Sequence, residues 1–434
     1  MKVTTLLSLG AVMLLLAVPA IADGFGDAGF VFVGTNHNNS MDSTQPPNQV
    51  AMYRRAADGS LTPLGYFDTG GQGSGPSARF AGDGLGAAHS VQLSQDLRWL
   101  FVTNAGTNNV SVFRVRNDGL QLTDIEPTGG STAFPNSVTQ WGDLVYVLNS
   151  ANQGSITGFR FNPHHGKLTA IPNSTRVLNA NQTYPPDTLF NPAEVSFTPD
   201  GRRLVVTIKD ASNLIQGITP TGPGRVLVFD VGFNGTPSRT YRQTNVNNGN
   251  PNQGYGPFGF SFDLRGNLLI ALFTGGTVPP GATAPTAAAG SYRIDGGDLL
   301  AGISPDVPNG RFDSCWIENN GTYAFTANYT SATISSYAIG MNGRLALLNG
   351  AAGIPDPTSN VQGPTPLDLR VSPNGRFVYD VLPGSGHVAA WRINHDGSLS
   401  KIGEYFVLPP TVYGDQAPQE RFGPGSSPAG IDVI

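Results

Sequence analysis

Apolar and polar residues alternate in short runs along most of the chain, and the runs recur in a fixed order. Ala88-His-Ser-Val-Gln-Leu93, Pro135-Asn-Ser-Val-Thr-Gln140, Pro192-Ala-Glu-Val-Ser-Phe197, Pro257-Phe-Gly-Phe-Ser-Phe262, Phe312-Asp-Ser-Cys-Trp-Ile317, Pro366-Leu-Asp-Leu-Arg-Val371 and Pro428-Ala-Gly-Ile-Asp-Val433 align as seven copies of one opening. A turn such as Pro199-Asp-Gly201 leads each complete copy into a second apolar run, for example Leu204-Val-Val-Thr207, and a third alternating run follows, for example Arg225-Val-Leu-Val-Phe-Asp230. Period-two alternation between turn signals predicts β-strands.

A glycine turn then precedes a short fourth run. It recurs at Gly59, Gly119, Gly166, Gly235, Gly297, Gly343 and Gly397, about 45 to 70 residues apart. A four-stranded unit at that period is the signature of a β-propeller blade. Six whole blades and one split blade predict an all-β, seven-bladed propeller of four-stranded antiparallel blades. In the split blade the C-terminal copy supplies the innermost strand, and Gly29–Val33, Val50–Tyr53 and Leu61–Leu64 supply the other three. Pairing the chain's two ends in this way closes the ring and leaves no open innermost edge.

Residues 1–22 read as a secretory signal peptide: Lys2, an apolar stretch from Leu6 to Val18, then Ala20-Ile-Ala22 before Asp23. One propeller domain over 23–434 is expected, exported and without a membrane span. Without Lys2 the net charge is about −6, from 24 basic and 30 acidic residues, and no basic cluster invites nucleic acid or anionic lipid. Cys315 is the only cysteine, which excludes an internal disulfide and fits a small buried apolar role.

Long connections fall on the rim where the inner strands start: Asn36–Asn48, Gly70–Ala87, Asn179–Asn191, Asp210–Gly224, Thr274–Gly290 and Pro410–Ser427. Loops gathered on one face of a rigid scaffold are the expected place for function. Polar residues at the inner-strand starts, His89, Asn136, Glu194, Asp313 and Asp368, point into the central funnel in this reading, and Asn104, Asn149, Lys209 and Asn328 end second strands on the same rim. His89 and Glu194 could form a base and its partner. Lys209, or the loop arginines Arg79, Arg311 and Arg421, could hold a carboxylate or an oxyanion. Asn136, Asp313, Asp368, Asn104 and Asn149 are the expected substrate contacts. The competing use of each is a hydrogen bond that ties one blade to the next.

The rim histidines His37, His89 and His387 sit at different depths, so no transition-metal site is expected. Calcium held by Glu194, Asn136, Asp313 and Asp368 is an alternative. His164, His165 and His395 belong to hairpins on the other rim.

With the repeat placed, Ala88–Ser94, Phe101–Phe113, Asn191–Gly201, Pro257–Asp263 and Cys315-Trp316 resemble the lactonase-family β-propellers, which include 6-phosphogluconolactonase and the 3-carboxymuconate cyclising enzymes. The resemblance covers nearly all of the chain after residue 22. It implies that a monomer opens or closes a small-molecule lactone or carboxylated lactone with His, Glu and Arg side chains and no bound organic cofactor. His89 and Glu194 match that pattern, and the family's arginines are left unassigned. A chain with no basic phosphate cradle is a poor fit to a phosphorylated sugar lactone. A non-catalytic binding propeller using the rim loops and a calcium-dependent lactonase are the alternative functions.

Overall fold

The computed structural model describes residues 28–41, 43, 46–77, 82–209, 224–246, 256–273, 287–295, 300–358, 363–408 and 427–434. The expected leader, Arg79, Arg421 and most of three long loops lie outside the described residues.

The described strands number 29 and form seven antiparallel sheets. Their inner strands are β4 (Val91–Leu93), β8 (Pro135–Trp141), β13 (Pro192–Phe197), β17 (Gly256–Phe262), β21 (Ser314–Asn319), β25 (Leu369–Val371) and β29 (Ile431–Val433). Each touches the next, and β29 touches β4, so the ring is complete. Blade 1 is the split one. In it β29 pairs with β1 (Gly29–Gly34), setting Val31 opposite Val433, Phe32 opposite Asp432 and Val33 opposite Ile431.

Alternation places one apolar row of each second strand against each neighbouring blade, and these rows are the core. Val145 and Val147 pack with Phe101 and Val112 of the preceding blade, while Tyr146 and Leu148 pack with Val195, Leu204 and Val206 of the following one. The glycine turns serve this packing as well as the hairpins. At Gly59 (φ 91°) a Cβ would lie 2.5 Å from the Phe377 ring of the adjoining blade. At Gly166 (φ 64°) it would lie 2.1 Å from Trp99. A residue with no Cβ is what both the positive φ and the close approach need.

Two local departures matter. The outer edge of blade 3 is split into β11 (Lys167–Ala170) and β12 (Arg176–Val177), both on β10 (Ser155–Asn162), with Pro172 between them; proline cannot donate to a ladder. In blade 6 Ser314 takes the place that Pro135 has in blade 3, opposite the last residue of the second strand, so Glu318, not Trp316, lies opposite the aromatic Phe325. Its equivalents in blades 1, 2 and 7 are the pairs Asp432 with Phe32, Gln92 with Phe101 and Arg370 with Tyr379. Blade 6 is therefore shifted by two residues from the register expected of Phe312–Ile317. No helix among the described residues is long and apolar enough to cross a membrane.

Candidate functional site

Residues 83–88 run across the mouth of the ring at the starts of the inner strands, as a strap held from blades 1, 4 and 6, and from blade 3 by Asn136 Nδ2 on the Leu85 carbonyl (3.4 Å). Gly84 N–H donates to Ser427 Oγ (3.1 Å) in blade 1, and the Leu85 carbonyl accepts from Asn191 (3.0 Å). Lys209 Nζ donates to the Gly86 carbonyl (2.6 Å), Trp316 Nε1 to that of Ala87 (2.9 Å), and Ala88 N–H to the Ala193 carbonyl (3.0 Å). Gly86 sits at φ 58°, and a Cβ there would lie 2.9 Å from Lys209 Nζ.

Below the strap, exposure rises along the inner strands. In blade 7 Asp368 is 2% exposed, Arg370 8%, and Val371 half-buried; in blade 6 Ser314 is buried, while Glu318 and Asn319 are half-buried. Among the described residues the channel thus opens toward the rim of short hairpins, rather than toward the long loops where the sequence placed function.

One polar cluster fills this part of the channel. His89 has φ 62°, an uncommon backbone state for a residue with a Cβ, and the turn aims its ring at blades 4, 6 and 7. Its backbone N–H donates to Asp368 Oδ2 (2.9 Å). Nδ1 lies 3.2 Å from Glu194 Oε1, and Nε2 lies 2.6 Å from Arg370 Nη1 and 3.5 Å from Glu318 Oε1. A guanidinium only donates, so Nε2 is the bare nitrogen and the ring proton resides on Nδ1, facing Glu194. The other Glu194 oxygen accepts the Phe260 N–H (2.7 Å).

Arg370 joins the cluster together. Besides His89 it donates to Glu318 through Nη1, to Gln92 Oε1 (3.0 Å) through Nη2 and to the Ile431 carbonyl (3.1 Å) through Nε, with Asp432 Oδ1 3.5 Å away. Asp432 is fixed in turn by the Leu93 N–H (2.6 Å) and Gln92 Nε2 (3.1 Å).

Charge follows from burial and from Arg370. Burial, then the adjacent guanidinium, hold His89 down to about 4, so its ring is neutral at pH 7. Burial raises Glu194 well above the carboxylate range and Asp368 to about 7, against the pull of Arg370. Burial also opposes ionisation of Glu318, but Arg370 and His89 outweigh it, and Glu318 titrates below its usual value. Burial disfavours the charge on Arg370 too, yet Asp432, Glu318, Asp368 and Glu194 together raise it. The arrangement can hold a neutral imidazole against a fixed cation, with one ionised carboxylate at the open side.

The other residues chosen from sequence are placed elsewhere. Lys209 is not beside His89: it is fully buried under the strap, 4.0 Å from the Phe258 ring centroid, and burial lowers it to about 8. Asn136 Nδ2 donates to the Pro192 carbonyl (2.9 Å) and serves blade-to-blade contact. Asp313 accepts from Thr330 and lines a small pocket of about 20 Å³ with Asp83, Cys315 and Tyr329, room for one water-sized occupant. Asn104 and Asn149 are corrected from substrate contacts to blade staples. Asn104 donates to Asn109 (2.7 Å) and Ser111 (2.8 Å), Asn149 to Ser155 (3.2 Å) and Thr157 (3.3 Å), and Asn328 likewise to Thr333 (3.0 Å) and Ser335 (2.8 Å). Arg311 bonds the Gly350 carbonyl (3.0 Å) in blade 6. His387 stacks on Phe406, with ring centroids 4.3 Å apart, and His37 is buried in its loop.

The calcium set does not assemble, since Glu194 and Asp368 belong to the His89 cluster and Asp313 to the other pocket. Among the described residues no three His, Cys, Asp or Glu side chains are grouped to hold a metal ion. The arginine that sequence reasoning missed is Arg370. It shares one column of the seven-copy alignment with Gln92 and Asp432, the channel-facing alternate position.

Comparison with known proteins agrees with the architecture. The family model described as lactonase, 7-bladed beta-propeller, matches residues 44–185 and 285–412. A candidate 6-phosphogluconolactonase from Bacteroides fragilis superposes with a TM-score of 0.62 at 17% identity, over 96% of this chain and 99% of that one. A Lactobacillus plantarum protein gives 0.63 at 15% identity, over 94% and 99%. At such identities the likeness is one of fold. A Staphylococcus aureus protein of unassigned function is 33% identical over 99 residues, 22% of this chain and 29% of the relative. With family model, ring and blade topology in agreement, the chain belongs to the seven-bladed lactonase β-propeller family.

Proposed function

We propose that this chain hydrolyses, or in reverse forms, a lactone in the channel around Arg370, as an exported protein. The observation that carries this reading is the contact chain Glu194–His89–Arg370, with 3.2 Å and 2.6 Å between successive groups, buried on the channel axis where blades 2, 4 and 7 meet. The 6-phosphogluconolactonase candidates among its structural neighbours support the reaction class.

The roles follow from the geometry. Arg370 takes the lactone carbonyl oxygen and stabilises the oxyanion that forms when water attacks the carbon. His89 Nε2, released as Arg370 Nη1 turns from it to the oxyanion, receives the proton of that water, and Glu194, whose carboxyl burial pushes toward its neutral form, lies 3.2 Å from Nδ1 and orients the ring. The two steps are coupled. Arg370 depresses the basicity of His89 in the resting site, and negative charge growing on the oxyanion offsets that penalty as the proton moves. Collapse of the tetrahedral species breaks the ring C–O bond, and the proton on His89 passes to the departing alkoxide.

Purified protein is expected to open five- or six-membered lactones in a proton-release assay. His89→Gln is expected to lose about 10²- to 10⁴-fold in kcat, as for loss of a general base, with little change in melting temperature. Undiminished turnover in the variant would remove His89 from the chemistry, and absence of turnover across a broad lactone panel would remove the function.

A second reading has its own observation. A groove of about 870 Å³ lies on the long-loop rim between Asn38, Met41, Ser77, Phe134 and Asp187, which suits a binding propeller that does no chemistry.

A further inference from the structure

We propose that the channel accepts lactones without negative charge and rejects carboxylated or phosphorylated ones. This rests on the lactonase reading above and names the substrate class for the same site.

The guanidinium of Arg370 carries five N–H groups. Four are engaged: Nε on the Ile431 carbonyl, Nη1 on His89 and on Glu318, and one of the Nη2 pair on Gln92. A single donor is left for a ligand. Carboxylates and phosphates are best held by two parallel donors from one guanidinium, whereas a lactone carbonyl oxygen needs only one.

The charge balance points the same way. Glu318 and Asp432 already lie against Arg370 and are the more exposed members of the cluster, at 15% and 12% of their side chains, against 10% for Arg370. A ligand that reaches Arg370 comes up against these carboxylates as well. Burial counts against ionising Glu318, but Arg370 and His89 more than compensate, so a full negative charge stands there at neutral pH.

Among the described residues no second cation faces this cluster. Lys209, fully buried, is held by the Gly86 carbonyl beneath the strap and by the Phe258 ring. An anionic substrate would therefore be desolvated beside like charge with no unengaged partner, which is how a site discriminates against a competitor without adding contacts to its own ligand.

The test uses one scaffold with and without charge: glucono-1,5-lactone and its 6-phosphate, with the non-hydrolysable glucono-1,5-lactam and its 6-phosphate as binding probes. The uncharged lactone is expected to exceed the phosphate in kcat/KM by about 100-fold or more. Glu318→Gln, which removes the ionised carboxylate beside Arg370, is expected to narrow the ratio at least tenfold. Equal or faster turnover of the phosphate overturns the proposal. If neither lactone is opened, the lactonase reading fails, and titration calorimetry with the lactams decides the charge claim by itself: preferential binding of the uncharged lactam upholds it, whereas equal binding of the two, or binding of neither, overturns it.

Discussion

Removing Pro428–Ile434 is expected to abolish the cooperative folding of blade 1 and to collapse the thermal transition of the whole protein. The segment supplies strand β29, whose pairing with β1 is extended by Ile434 N–H to the Phe30 carbonyl (2.8 Å) and Gly34 N–H to the Gly430 carbonyl (3.0 Å). Arg55 reaches the Ile434 carbonyl through both Nε (3.1 Å) and Nη2 (2.9 Å). Ile431, Val433 and Ile434 are at most 5% exposed. Burying three such side chains contributes about 5–9 kcal/mol, comparable to the entire stability of an ordinary domain. Calorimetry checks this, and a truncated chain that melts cooperatively within a few degrees of the full one would show the closure strand to be dispensable.

Arg370→Met is expected to cost about 3–5 kcal/mol near neutral pH, the usual penalty for leaving buried charges without their partner. Its pH dependence separates this from a packing defect. With Arg370 present, Glu318 titrates below its unfolded value, so its contribution to stability is present above that value and fades as pH falls through the lower, folded one. Without the cation, burial dominates and the folded Glu318 value moves above the unfolded one. Its protonated form then favours the fold at low pH, and that advantage disappears as pH rises through the folded value. Urea melts of the variant should therefore give higher stability at about pH 5 than at about pH 7.5 relative to wild type. A deficit of the same size at both pH values would mean that lost packing is the cause.

Blade number, blade phase and ring closure were legible because they rest on period-two alternation and on glycine turns, which are properties of short segments. His89 and Glu194 were legible as polar residues at inner-strand starts, where apolar neighbours make a charge conspicuous. The Asn104, Asn149 and Asn328 staples were misread for a reason that the sequence itself contains. Each asparagine is followed by a pair of hydroxyl or amide residues two apart, Asn109 and Ser111, Ser155 and Thr157, Thr333 and Ser335, and a recurring local set is the mark of a structural device.

Arg370, Gln92 and Asp432 stood in a common column, but a polar residue within an alternating strand also reads as ordinary solvent contact. Their grouping depends on which blades adjoin across the ring. Glu318 was hidden because blade 6 pairs two residues out of step with the alignment, its copy beginning at Ser314 rather than Phe312. The strap was out of reach altogether, because residues 83–88 have no period and their hydrogen bonds go to segments over a hundred residues away in sequence, such as Lys209 and Trp316.

The seam of the ring and the polar cluster share a strand. Asp432, borne by the last strand to be made, is paired with Arg370 of blade 7 and held by Leu93 of blade 2. The channel is consequently incomplete until β29 has paired with β1, however many other blades have formed, and one strand supplies both ring closure and a counter-charge to Arg370. A partly synthesised or clipped propeller would carry His89 and Glu194 in a ring that has not sealed, with Arg370 lacking one of its counter-charges.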